Sequence, residues 1–167
     1  RACMRIEELA APGVQKLVAY DPGYDPETIR QMMGLPRMLA LGSNENGLGP
    51  SPRVRELLRQ RDFVDSIRYP DAGARKLREA ISARWSVDPA AITLGNGSHE
   101  LLVLIAETFV APGDEVVFAR HGFAVFKIAA LQTGGTPVEV PALPRSDRMP
   151  LGADPQAMAA ALGPKTK

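Results

Sequence analysis

A single cysteine, Cys3, stands in the 167 residues, so no internal disulfide can form and no cysteine pair is available for a zinc site. A reducing compartment, the cytoplasm, is expected. Histidine is equally scarce: His99 and His121 are the only two, neither has a second ligand at metal-binding spacing, and no metal centre is expected. Net charge is almost absent, since 20 Lys plus Arg against 19 Asp plus Glu leave +1. That is no electrostatic footprint for a nucleic acid or an anionic membrane. No apolar run approaches the roughly 18–20 residues of a membrane span. The opening Arg1-Ala2-Cys3-Met4-Arg5-Ile6-Glu7-Glu8 lacks the apolar stretch of a signal peptide, so export is not expected. Low-complexity tracts, repeats and blocks of like charge are missing as well.

What is there reads as an ordered domain. Apolar residues make up 45% and charged residues 23%, with a mean hydropathy of -0.10. A fold of this length buries about 68–70% of its unfolded surface. Fifteen prolines and fifteen glycines fall as punctuation between periodic segments. They are dense in residues 1–50, which predicts an extended arm with one short helix near Glu27–Met33. From Ser51 the pattern tightens: Ser51 suits a cap, Pro52 the first helical position, and Val54, Leu57 and Leu58 recur at helical spacing. Leu77, Ala80, Ile81 and Trp85 predict a second amphipathic helix ending near Ser86.

Beyond it the period changes. Ile92-Thr93-Leu94 reads as a short strand, Gly95-Asn96-Gly97-Ser98 as a turn, and Leu101, Leu102, Ile105 and Phe109 as a helix. Glu115–Ala119 and Thr136–Val140 read as strands on either side of a helix over Phe123–Leu131, and a last helix is expected over Asp154–Leu162. Strands alternating with helices argue for an α/β fold with a parallel sheet. At Lys165-Thr166-Lys167 a further strand is due.

Three segments hold residues suited to chemistry. In Leu94-Gly95-Asn96-Gly97-Ser98-His99-Glu100 the glycines permit a tight turn, and the first helical N–H groups with the Ser98 hydroxyl suit a phosphate dianion. Taken alone, the feature fits an ordinary Gly-rich turn with Ser98 as N-cap better. The segment is neither a Walker loop nor a dinucleotide fingerprint. His99 stands in the first helical turn, either donating to an anion or facing solvent. Phe123 follows the carboxyl end of a strand, where ligands of open α/β sheets gather, and either stacks on a flat ring or begins a helix as a core aromatic. Ser43-Asn44-Glu45-Asn46-Gly47 presents amides and a carboxylate, or forms a turn whose Asn side chains bond their own backbone. Tyr69-Pro70-Asp71 holds a tyrosine extended before proline, able to project its hydroxyl outward.

In order and spacing, Tyr20-Asp21-Pro22-Gly23, Leu41-Gly42-Ser43-Asn44-Glu45-Asn46 with Gly49-Pro50-Ser51-Pro52, Arg68-Tyr69-Pro70-Asp71, Leu94 to Leu101, and Pro112-Gly113-Asp114-Glu115-Val116 closely resemble the histidinol-phosphate aminotransferase family. The resemblance implies the amino-terminal arm (1–50, with the substrate loop) and the first part of the large domain (51–167) of a fold-type I transferase dependent on pyridoxal 5'-phosphate. It implies that Gly97, Ser98 and His99 hold the cofactor phosphate, that Phe123 lies against its ring, and that Tyr69 reaches the phosphate of the neighbouring subunit in a homodimer. Tyr20 and Asn44 would line the substrate pocket. The implied reaction moves an amino group between L-histidinol phosphate and 2-oxoglutarate in histidine biosynthesis.

The chain departs from the family pattern in three places. Gly47 replaces the usual Pro, His99 the usual Asp, and the Gly expected after Ala72 is displaced within Gly73-Ala74-Arg75-Lys76. The family's Schiff-base lysine, in a Ser-x-Ser-Lys context, belongs downstream of Lys167. None of Lys16, Lys76, Lys127, Lys165 and Lys167 has that context, so no catalytic lysine is assigned and these 167 residues alone are expected to be inactive. A threonine-phosphate decarboxylase type of enzyme is the nearest alternative, separable by release of carbon dioxide. A non-catalytic remnant that binds a phosphate ligand is a second.

Overall fold

A computed structural model describes residues 6–18, 23, 25–41, 44–60 and 67–167. Tyr20, one of the expected substrate residues, lies outside the described residues. The chain divides into two compact units, Asp21–Ile92 on the one hand and Arg1–Tyr20 with Thr93–Lys167 on the other.

In the Asp21–Ile92 unit the described residues form three helices. Helix α1 (Pro26–Met32) starts at Asp25, whose carboxylate accepts the Thr28 N–H at 2.9 Å, with proline at the first helical position. Helix α2 (Pro52–Gln60) follows Ser51, whose hydroxyl oxygen accepts the Arg53 N–H at 3.3 Å. Helix α3 (Arg75–Trp85) ends at Ser86, left-handed at φ 55°. A 3-10 turn, Pro89–Ala91, follows and is tied back to α3 by Arg78, whose guanidinium donates to the Pro89 carbonyl at 3.4 Å.

The second unit is the α/β part. Helix α4 (Gly97–Phe109) leads through the Pro112-Gly113-Asp114 turn into strand β1 (Glu115–Ala119). Helix α5 (Val125–Gln132) connects β1 to strand β2 (Thr136–Val140), and β1 and β2 pair in parallel from Glu115 opposite Thr136 to Ala119 opposite Val140. This is the strand, helix, strand alternation read from the sequence. The other edge of β1 is also occupied: the Glu115 N–H donates to the Lys165 carbonyl at 2.8 Å and the Lys167 N–H to the Glu115 carbonyl at 3.1 Å, bridging Thr166 in parallel. Helix α6 (Pro155–Ala160) begins at Asp154, which accepts the N–H groups of Gln156 and Ala157.

The core lies between α5 and the strands. Val125, Ala129 and Ala130 on α5 are buried together with Ala106 of α4, Phe118 of β1 and Val140 of β2. Two adjacent alanines let α5 settle closely on the strands, and Phe118 stacks on Phe126 with centroids 6.4 Å apart.

Two expectations need correction. Ile92-Thr93-Leu94 is not a strand: Ile92 is extended, but no paired neighbour lies beside the segment among the described residues, and a strand without a ladder is only extended chain. The helix expected from Phe123 begins at Val125, which leaves Phe123 in the preceding turn.

Candidate functional site

The site begins with the loop before α4. Asn96, not Ser98, precedes the helix, and its φ -74° and ψ 69° make an inverse γ-turn closed by the Gly97 N–H on the Gly95 carbonyl at 2.9 Å. The Glu100 carboxylate accepts the Asn96 N–H, and a Cβ at Gly95 would come within 2.9 Å of that same carboxylate oxygen. Gly97 adopts φ +79° with open space where a side chain would project. The turn therefore releases Ser98 and His99 into the first helical turn, where backbone N–H groups have no partner within the helix. The Ser98 side chain is exposed beside them.

The His99 ring meets Phe123 edge to face, with centroids 5.9 Å apart and planes at 88°. Phe123 follows the carboxyl end of β1 and is 41% exposed. Thus two segments 24 residues apart in sequence form one cluster at the carboxyl end of β1, of two aromatic rings and a helix N-terminus. The rim of this end is held by Arg120: its backbone N–H donates to the Val140 carbonyl at 2.9 Å, and its guanidinium donates to Glu139 at 2.9 Å. Sequence reading missed Arg120 and Glu139, because only the pairing of β1 with β2 brings Arg120, just past the end of β1, within reach of Glu139. It also missed the task of Glu100, which reaches back to the Asn96 N–H from four residues on, one beyond the spacing of a capping box.

Asn44 and Tyr69 belong to the other unit. Asn44 is exposed at φ 53°, a left-handed conformation that Asn tolerates. Its neighbour Asn46 does bond its own backbone, accepting the Leu48 N–H at 3.1 Å. Tyr69 is 100% exposed, as expected of a side chain projected before a proline. Asp71 accepts the N–H groups of Arg75 and Gly73, each at 3.0 Å, and these bonds hold its carboxyl below the usual carboxylate range.

A carboxyl with a depressed folded pKa stabilises the fold above its unfolded pKa of about 3.9, and that stabilisation is lost as pH falls through the lower folded value. Thermal melts between pH 6 and pH 3 should therefore show Asp71→Asn with a flatter acid limb than the parent chain. Parallel acid limbs would mean that the Asp71 contacts add nothing to the fold.

Among the described residues no group of three or more His, Cys, Asp or Glu side chains converges on a possible metal position, and no helix is long and apolar enough to cross a membrane. A cavity of about 430 Å³ lies under Pro12, Gly13 and Lys16, against Pro112 and Leu131–Pro137. It is at the amino end of the strands, opposite the ring cluster.

A parallel strand pair whose carboxyl end faces a Gly-rich turn and a helix N-terminus defines an α/β domain, with the cluster at the end of the strands where open α/β sheets carry their ligand sites. The chain belongs to the DegT/DnrJ/EryC1/StrS aminotransferase family, whose model matches residues 64–167. It is 44% identical over 130 residues to the histidinol-phosphate aminotransferase of Rhodospirillum centenum, an alignment covering 78% of this chain and 34% of that protein. It is 38% identical over 160 residues to histidinol-phosphate aminotransferase 1 of Idiomarina loihiensis, covering 96% of this chain and 42% of that one. The crystal structure of histidinol-phosphate aminotransferase from Sinorhizobium meliloti in complex with pyridoxal-5'-phosphate superimposes with a TM-score of 0.74 at 30% identity, over 92% of this chain and 39% of that chain. The chain thus spans about a third to two-fifths of the length of these proteins, and its fold is an α/β portion of an aminotransferase.

Proposed function

We propose that this chain supplies the phosphate-binding and ring-stacking part of a pyridoxal 5'-phosphate-dependent aminotransferase acting on L-histidinol phosphate and 2-oxoglutarate in histidine biosynthesis. The observation that carries the reading is the single cluster formed by the α4 N-terminus and Phe123 at the carboxyl end of β1. It supplies what a flat phosphate ester needs: N–H donors and a hydroxyl at one end, an aromatic ring at the other. Similarity to histidinol-phosphate aminotransferases along most of the chain supports this cofactor and this substrate class.

In this reading residues 1–50 are the arm and substrate loop, and 51–167 the cofactor-binding part. Bound there, the cofactor would act as an electron sink that lets an amino group leave one carbon skeleton and join another. The chain's own residues bind and orient it. The N–H groups of Ser98 and His99, with Gly97 aiming them, hold the phosphate dianion against the positive end of α4. Phe123 fixes the plane of the ring. Tyr69, fully exposed, extends to the phosphate in the neighbouring subunit of a homodimer, and Tyr20 and Asn44 line the substrate pocket. The compartment is the cytoplasm.

No lysine of the chain is assigned to the chemistry. Lys165 and Lys167 flank the bridge at the amino end of β1, and Lys16 lines the cavity at that same end. Lys127 is exposed on α5 and Lys76 on α3. The 167 residues alone should therefore bind the cofactor phosphate without turning substrate over.

The test is to incubate the purified protein with pyridoxal 5'-phosphate, L-histidinol phosphate and 2-oxoglutarate and to assay glutamate and imidazole-acetol phosphate. The protein with its downstream segment should form both products, and the isolated chain neither. Carbon dioxide released from threonine phosphate, with no glutamate formed, would overturn the reading in favour of a decarboxylase.

A further inference from the structure

His99 contributes more to the cluster than a backbone N–H. Its imidazole and the Phe123 ring stand at 88° with centroids 5.9 Å apart, the edge-to-face geometry that aromatic quadrupoles favour. The two residues come from different elements: His99 from the first turn of α4, Phe123 from the turn between β1 and α5. Phe123 lies outside the ladder and ahead of α5, and its carbonyl accepts the Phe126 N–H at 3.1 Å. A perpendicular partner occupies at most one face of the Phe123 ring.

We propose that the His99 side chain is a positioning residue for Phe123: its imidazole holds the phenyl ring at a fixed tilt over the phosphate-binding end of α4, so that one residue couples the phosphate anchor to the ring anchor. This rests on the cofactor reading above. An imidazole can do this and a carboxylate cannot, since Asp at position 99 would keep the backbone N–H but offer no ring. The coupling runs through ring contact and not through an imidazole hydrogen bond to phosphate, and the two roles predict opposite rescues.

The experiment is a titration of the purified protein with pyridoxal 5'-phosphate, followed by cofactor absorbance and by the circular dichroism induced in the bound cofactor, with inorganic phosphate as competitor. His99→Ala should weaken cofactor binding about two- to tenfold, the range of one aromatic pair. It should lower the induced signal per bound cofactor and leave the inhibition constant of inorganic phosphate unchanged. His99→Phe should restore affinity and signal, His99→Asn should restore neither, and His99→Ala should add no loss in a Phe123→Ala background. The proposal is overturned if His99→Ala binds as the parent does, or if His99→Asn rescues and His99→Phe does not. If the parent protein binds no cofactor, or binds it without competition from inorganic phosphate, the cofactor reading itself fails and this proposal with it. The two failures are therefore told apart by the parent titration alone.

Discussion

Gly135→Ala is expected to lower the thermal midpoint of the chain by about 3–10 °C, the consequence of an overpacking cost of about 1–3 kcal/mol. Gly135 is buried between the end of α5 and the start of β2, beside Val110, the residue that follows α4. A Cβ there would stand 2.6 Å from Val110 Cγ1, 3.2 Å from the Ala130 carbonyl oxygen and 3.4 Å from the Asp114 carbonyl oxygen. The nearest atom belongs to a β-branched side chain with little rotamer freedom, and the other two are backbone. The Asp114 carbonyl also accepts the Thr136 N–H at 2.8 Å, so a shift there disturbs the first rung of the parallel ladder. Val110→Ala removes the closest atom, and the double variant should be less destabilised than the sum of the singles by more than about 0.5 kcal/mol. Gly163→Ala, where nothing lies within 4 Å of a Cβ, is the control and should melt close to the parent. Equal midpoints for Gly135→Ala and Gly163→Ala would show that the α4, α5 and β2 junction yields without cost.

The same junction separates what is legible in the amino-acid sequence from what is not. Elements bounded by strong local signals are legible: Pro52 after Ser51, Asp154 before Pro155, and the apolar runs at 115–119 and 136–140 all form where local chemistry places them. Where formation depends on a neighbour, local reading fails. Ile92-Thr93-Leu94 has strand composition, but strand is a property of pairs, and no paired neighbour stands beside it among the described residues. The ring cluster is half legible. Gly97, Ser98 and His99 stand out as candidates by their place between an apolar run and a helix, and Phe123 by its place after a strand. Their meeting is not legible, because it is set by the approach of α4 to α5 and β1 across 24 residues of sequence. Position 99 shows the difference most clearly: read alone, an imidazole in a first helical turn has two equal fates, donor or solvated, and only the tertiary contact adds the third.

Gly97→Val is expected to weaken binding of both pyridoxal 5'-phosphate and inorganic phosphate by about tenfold or more. Nothing lies within 4 Å of the position a Cβ would take, so the loss does not come from a clash with neighbours. It comes from the backbone. Gly97 holds φ +79°, and an L side chain in the left-handed region costs about 1–2 kcal/mol, near the top of that range for a β-branched residue. About 1.4 kcal/mol corresponds to a tenfold change in affinity. The chain can escape the strain by rotating the Gly97 peptides, but that breaks the γ-turn bond to the Gly95 carbonyl and swings the Ser98 and His99 N–H groups away from a common point. The loss should follow left-handed tolerance and not size, in the order Asn, Ala, Val, with Gly97→Asn closest to the parent. Both ligands should weaken together, because both need the same N–H groups, whereas a change at His99 should touch the cofactor alone. Competition titrations on the three variants measure this, and similar losses for Val and Asn would mean that the positive φ of Gly97 is not what aims the helix at its anion.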